Sequence, residues 1–182
     1  MELKLAESKS ELQQILDLQH ANHYDNVSEE LKKVDGFVTV KHNLDLLTKM
    51  NNEAKHIIAV DNGKVIAYAL TMLKDYKDLI PVLVPMFTVF ESINYKNTKL
   101  SNINYYVMGQ VCVADTHRGK GIFKALYEKH KDVYASKFDL LLTEVSSSNH
   151  RSMRAHEKVG FKTINTFKDD TDEWNILSWN WE

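Results

Sequence analysis

One stretch limits the folds open to this chain more than any other: Asp139-Leu140-Leu141-Leu142-Thr143-Glu144-Val145. After Asp139 it carries no charge until Glu144. A strand with one face in water alternates apolar and polar residues, and this one does not, which suits a central strand buried on both faces. Such a strand needs neighbouring strands and helices packed on the sheet, so a mixed α/β architecture is expected.

The flanking sequence supplies those elements. Residues 1–6 alternate weakly through Leu3 and Leu5 and read as a short first strand. Ser10 and Gln13 have the spacing of a capping box, and Leu12, Ile15 and Leu16 share one face of a helix to about Ala21. Residues 22–41 are polar and favour no element. A second helix is expected over 42–52, with Leu44, Leu47 and Met50 inward. Residues 56–60 and 65–73 are rich in β-branched side chains and are joined by Asp61-Asn62-Gly63-Lys64, a hairpin turn. A long connection, 75–103, holds both prolines, Pro81 and Pro85. Within it Met86, Val89, Phe90 and Ile93 have helical spacing. A strand over 104–114, a helix over 121–136 and the buried strand come next. A helix over 149–159, with Gly160 as its left-handed cap, leads to final strands at 161–167 and 174–181. No repeat or linker interrupts the pattern, so residues 1–182 are expected to form a single domain.

Composition excludes several classes. An apolar share of 43% and a charged share of 26% are those of a soluble globular protein. A net charge of −2 leaves no electrostatic footprint for nucleic acid or an anionic membrane. The single cysteine, Cys112, forbids an internal disulfide framework and suits a reducing compartment. Apolar runs fall short of the ~18 residues of a membrane span, and residues 1–10 are too charged for a secretory signal, so a cytoplasmic location is expected. His20, His23, His42, His56, His117, His130 and His150 do not cluster at zinc spacing, so no metal is expected. Trp174, Trp179 and Trp181 are expected to pack in the core and at the sheet edge.

Between a strand and a helix lies Thr116-His117-Arg118-Gly119-Lys120-Gly121-Ile122-Phe123. The first turn of a helix has unpaired N–H groups and a partial positive charge, and glycines let an anion approach the backbone. The residues themselves leave two readings open: a phosphate cradle with Arg118 and Lys120 as cationic donors, or a plain tight turn with both solvated. The spacing fits neither a P-loop nor a G-x-G-x-x-G dinucleotide turn. Val111-Cys112-Val113 followed by Arg118-Gly119-Lys120-Gly121 does resemble the acyl-CoA signature V-x-V … R-x-x-G-x-[GA] of the GNAT superfamily of N-acyltransferases. The segment 144–161 likewise resembles that superfamily's E-V-x-x-x-N-x-x-A-x-x-x-Y-E-K-x-G-F. Motifs and element order together cover about residues 56–167. Phe123 departs from the small residue usual at its position, and His156 stands where the superfamily usually has tyrosine.

The resemblance implies a mixed, mostly antiparallel sheet of about seven strands, helices on both faces, and a splay between strands 4 and 5. Acceptor-side helices would occupy about 10–53 and the acyl-CoA-binding core about 104–161. Pantetheine would pair with the backbone of Val111, Cys112 and Val113, and the pyrophosphate would rest on the N–H groups of Gly119, Lys120, Gly121, Ile122 and Phe123. Asn149 would touch the cofactor beyond the splay, and Asn149, Ser152 and His156 share one helix face. The implied activity is transfer of an acetyl group from acetyl-CoA to an amine of a small molecule or peptide, by direct attack in a ternary complex. A homodimer is left open. Glu144 is the candidate base, because partly apolar surroundings raise a carboxylate's proton affinity. It otherwise serves as a sheet-edge cap or a partner of Arg151 or Arg154. His156 is the candidate acid for the departing thiolate, with Glu144 beside it favouring the charged ring, or else a histidine satisfied within the interface. Cys112, a strand cysteine with no adjacent base, reads as a buried hydrophobe and not as a nucleophile. Residues 20–50, 75–103 and 168–173 would build the acceptor site, with Asp169, Asp170, Asp172 and Glu173 facing a cationic amine or simply solvated. A catalytically silent acyl-CoA binder and a phosphate-binding interaction module are the rival readings.

Overall fold

Helix α1 (Lys9–Ala21) opens on a reciprocal cap. Ser8 Oγ accepts from Glu11 N at 3.1 Å, and Glu11 Oε2 accepts from Ser8 N at 2.9 Å. The cap is therefore Ser8 with Glu11, two residues before the expected Ser10 and Gln13, and Ser10 lies inside the first turn. The computed structural model that shows this describes residues 1–28, 30 and 37–182. Part of the undecided 22–41 segment, and of the acceptor-side region expected there, lies outside the described residues.

Among the described residues the further α-helices are α2 (Leu44–Glu53), α3 (Val84–Ser92), α4 (Ile122–Tyr134) and α5 (His150–Val159). The strands are β1 (Glu2–Leu5), β2 (Ile57–Asp61), β3 (Lys64–Met72), β4 (Asn94–Tyr95), β5 (Thr98–Lys99), β6 (Tyr105–Val113), β7 (Leu140–Ser146), β8 (Lys162–Lys168) and β9 (Glu173–Trp179). Seven of them form one mostly antiparallel sheet in the order β1-β2-β3-β6-β7-β9-β8. The Asn62–Gly63 turn joins β2 to β3 with positive φ at both residues. The 75–103 connection is richer than expected: besides α3 it holds short 3₁₀ turns and the separate hairpin β4–β5. That hairpin turns through Lys96 and Asn97, at φ 46° and 68°, without the glycine that marks such turns in a sequence.

Two compact units divide the chain: residues 1–72 with 108–133, and residues 73–107 with 134–182. In the first, α1 and α2 pack on the face of β3 that carries Tyr68 and Leu70, in a core with Ile15, Leu47, Ile58 and Cys112. Side chains alternate along a strand, and Ala69, on the opposite face, bonds through its main chain with His130 of α4. A buried polar chain crosses this unit. Tyr68 Oη donates to Gln110 Oε1 at 2.6 Å, Gln19 Nε2 donates to the same oxygen at 2.8 Å, and Gln110 Nε2 donates to Val40 O at 2.9 Å.

In the second unit β7 is the central strand anticipated from its composition, buried along nearly its whole length. It pairs in parallel with β6 through Tyr105↔Leu140, Tyr106↔Leu141 and Val107↔Leu142, and antiparallel with β9 from Leu141↔Trp179 to Ser146↔Trp174. Two of the three tryptophans are packing, as expected: Trp179 is buried with its ring 5.7 Å from Phe161, and Trp181 Nε1 donates to Phe138 O at 2.8 Å, whereas Trp174 lies at the far end of β9, opposite Ser146. Gly160 caps α5 at φ 119°, where a Cβ would approach Trp179 Nε1 to 3.2 Å.

Four buried imidazoles are held neutral by desolvation: His42 and His156 are lowered to about 4, His56 and His130 to about 3. In the unfolded chain each regains an ordinary value near 6.5. Their contribution to stability is full above pH 6.5 and is lost as pH falls toward the folded values, at up to about 1.4 kcal/mol per pH unit for each group. Urea midpoints should therefore drop steeply from about pH 6.5 to about pH 4. A midpoint that stays level across that window would show these rings titrating normally.

Candidate active site

Chain direction changes sharply where β6 gives way to α4. A 3₁₀ turn (Asp115–His117) follows the strand, and Gly119 and Gly121 then adopt φ of 76° and 80°. Only glycine enters this region without strain, so both positions are set by the backbone. A Cβ placed on either would meet nothing within 4 Å, so the loop faces open space. Among the described residues, the N–H groups of Gly119, Lys120, Gly121 and Ile122 have no acceptor in the protein, while Gly121 O accepts from Ala125 N as α4 starts. Bare N–H groups at a helix start, with open space above glycine, suit a diphosphate. Phe123 does not fill that space: it packs on Tyr127, one turn on, with ring centroids 5.1 Å apart.

The two cations are engaged differently from one another. Lys120 Nζ donates to Thr116 O at 3.0 Å, from the exposed rim. The Arg118 guanidinium turns back into the protein, to Val113 O and Asn22 Oδ1. On β6, Val111 and Val113 are half-buried, while Cys112 is buried against Tyr68. Burial pushes the Cys112 thiol up to about 12, which leaves it protonated and inert as a nucleophile.

In the second unit Glu144 is cross-strand from Ile176 and shares its face of β7 with Leu142 and Ser146. Burial, with the Asp169 charge as the second cause, raises Glu144 to about 8. Its Oε2 is inaccessible to solvent and has no hydrogen-bond partner among the described residues. Buried polar oxygens are normally satisfied, so an orphaned carboxylate oxygen asks for a ligand or a proton. The pairings with Arg151 or Arg154 do not occur among its described contacts.

The acidic hairpin loop beside it is built and not merely solvated. Asp169 Oδ1 accepts from Thr171 Oγ1 at 2.6 Å, from Thr171 N at 2.8 Å and from Asp172 N at 3.0 Å, and these bonds hold its carboxyl low, at about 2. Asp172 Oδ2 accepts from Ser146 Oγ and, at 3.1 Å, from Ser148 Oγ. This clasp ties the loop to the end of β7. Sequence reasoning missed it, because partners 26 and 24 positions apart carry no local signature.

Asn149 caps α5, its Oδ1 accepting from Ser152 N at 3.1 Å. Ser152 and His156 do share a helix face: His156 Nδ1 lies 2.8 Å from Ser152 O and 3.3 Å from Ser152 Oγ. His156, however, is 2% exposed and sits edge-on to Phe161, on the side of the sheet that carries Trp179 and Leu141. Alternation along β7 turns Glu144 to the other side. The expected neighbour that would have favoured the charged ring is therefore absent from its surroundings, and burial lowers the ring to about 4.

Among the described residues there is no group of three or more His, Cys, Asp or Glu side chains able to hold a metal, and no helix is long and apolar enough to cross a membrane.

Comparison with known proteins places these features in a family. The model of the acetyltransferase (GNAT) family matches residues 12–161, most of the chain, and the protein belongs to that family. Its members are acyltransferases that use acetyl-CoA. No curated protein sequence matches significantly. Similar folds include the ribosomal-protein-S18-alanine N-acetyltransferase of Escherichia coli, at 14% identity and TM-score 0.63, over 97% of this chain and 91% of that one. A GNAT-family acetyltransferase of Streptococcus agalactiae matches at 14% identity and TM-score 0.65, over 97% and 93%. The protein yncA of Salmonella typhimurium, solved with its cofactor acetyl-CoA, matches at 15% identity and TM-score 0.63, over 100% and 94%.

Glu144 and Asp169 can be separated experimentally. In Asp169→Asn, the Glu144 carboxyl followed by carbon NMR should titrate below about 8 yet still above an ordinary glutamate, because burial is the larger cause. A Glu144 titration left in place by that substitution would remove Asp169 from the account.

Proposed function

We propose that the protein is an N-acetyltransferase, moving the acetyl group of acetyl-CoA to an amine of a small molecule or peptide by direct attack in a ternary complex. The observation that carries this reading is Glu144: a mostly enclosed carboxylate with an unpartnered oxygen and a proton affinity raised to about 8. An alkylamine has a pKa of about 10.4, so its neutral form costs about 4.6 kcal/mol at pH 7. A base at about 8 is much better matched to that amine than a carboxylate near 4.3.

The main-chain groups from Gly119 to Phe123, with Lys120 at the rim, would hold the diphosphate, and the backbone of Val111–Val113 the pantetheine amides. The amine lone pair forms a bond to the thioester carbonyl carbon, and the proton that nitrogen sheds passes to Glu144, directly or through water. The carbon–sulfur bond then breaks, and its electron pair leaves on the CoA sulfur. A thiol of pKa about 8.5 is a good leaving group by itself. His156, neutral at pH 7 and packed on Phe161, is read as supporting α5, with the thiolate departing unassisted. The acidic loop at 169–173 gives the acceptor side a negative field, which suits a cationic amine.

The test is a thiol-release assay with acetyl-CoA over alkylamines, polyamines, amino acids, aminoglycosides and peptides. CoA release with amines is expected. Release with hydroxyl or thiol acceptors alone refutes the amine, and saturable binding without any turnover identifies a silent binder.

Two substitutions assign the roles. Glu144→Gln is expected to lower kcat by about 10²-fold or more, with cofactor affinity unchanged, and to remove the rise of kcat with pH toward 8. Gly121→Glu, which sets a carboxylate in the open space over the loop, should abolish CoA binding. Equal loss of binding in both variants would mean that the roles are misassigned.

A further inference from the structure

Arg118 opens the glycine motif, yet its side chain faces inward. Nε donates to Val113 O at 3.1 Å, and one terminal nitrogen donates to Asn22 Oδ1 at 2.6 Å. Each acceptor marks a boundary within the first unit. Val113 is the last residue of β6, and Asn22 is the C-cap of α1, from which the acceptor-side segment departs. Asn22 is buried, and its Nδ2 donates to Leu18 O at 2.9 Å, which orients Oδ1 toward the guanidinium.

The segment that returns beside Asn22 is stitched in place. Val38 N donates to Asn22 O at 3.1 Å and Tyr24 N to Val38 O at 2.9 Å. Gln110 Nε2, from β6, donates to Val40 O at 2.9 Å, and His42 N donates to Gln19 Oε1 at 2.8 Å. A planar guanidinium serves two acceptors at a fixed angle, whereas an ammonium on a flexible stem does not. Bonds from a charged donor are also the stronger kind.

We propose that Arg118 is a positioning residue: it pins the end of β6 to the C-terminus of α1, holding residues 37–42 in register with the strand read as the pantetheine carrier. The diphosphate is then left to main-chain N–H groups and Lys120. The role in catalysis rests on the acetyltransferase reading above, but the pin itself does not.

The first measurement uses the full chain without ligands. Amide hydrogen exchange at Tyr24 and Val38 should quicken by about tenfold or more in Arg118→Ala and equally in Asn22→Ala, with the double variant no faster than either single one. Arg118→Lys should recover only part of the protection. Should Arg118→Ala not fold, Asn22→Ala removes the same bond from the other side. Unchanged exchange at both amides in the folded variants overturns the proposal.

The second measurement compares calorimetric affinities for CoA and for pantetheine, which lacks the diphosphate. Arg118→Ala should weaken both by the same factor. A loss confined to CoA, growing as salt is lowered, would make Arg118 a phosphate ligand and overturn the proposal. If the wild-type protein binds neither, the acyl-CoA reading fails, and the exchange measurement still decides the pin.

Discussion

An α-helix cannot satisfy its own first N–H groups, and in the turn that opens α4 the N–H groups of Gly119, Lys120, Gly121 and Ile122 find no other acceptor among the described residues. Two glycines at positive φ, 76° and 80°, carry the backbone round with no Cβ in the space above. Side chains that would otherwise compete are directed away. Phe123 packs along the helix on Tyr127, and Arg118 bonds inward. The open donors are an uncompensated electrostatic feature that an anion of the right shape would complete. Much else in the first unit serves to hold that turn still: β6 leads into it, α4 leads out of it, and His130 of α4 bonds to Ala69 in β3.

The second unit keeps a different unsatisfied group. Burying a carboxylate without a partner costs free energy, and the usual response is a raised proton affinity, as at Glu144. The surrounding loop adds to that cost by fixing Asp169 as an anion through three hydrogen bonds from Thr171 and Asp172. An arrangement that is unfavourable in the resting protein is the kind of strain that functional sites retain. The same desolvation acts on His156 in the opposite sense, because its charged form is the cation. One physical effect thus makes the carboxyl a stronger base and leaves the imidazole unprotonated near pH 7, with no proton to donate.

Local signals in the chain were read correctly where the cause was local. The Asn62–Gly63 turn, the Gly160 cap and the buried composition of β7 each follow from a few adjacent residues. The Ser8–Glu11 cap was displaced by two positions, because Ser8 and Ser10 are equally good candidates until the backbone chooses. The β4–β5 hairpin escaped notice because Lys96 and Asn97 take a conformation more often given to glycine.

Sequence alone determined the order of the main elements along the chain, the family motifs and the identity of the residues at the glycine turn, because periodicity, turn chemistry and spacing act over a few positions. Tertiary structure decided which of those residues are engaged and in what charge state. Arg118 meets Asn22 across 96 positions, Gln19 meets Gln110 across 91, and Ser146 meets Asp172 across 26. Hydrogen-bond partners at such separations, and the desolvation that moves Glu144 up and His156 down, arise only when the chain is packed, since neither a contact nor a dielectric environment is written in any local run of residues.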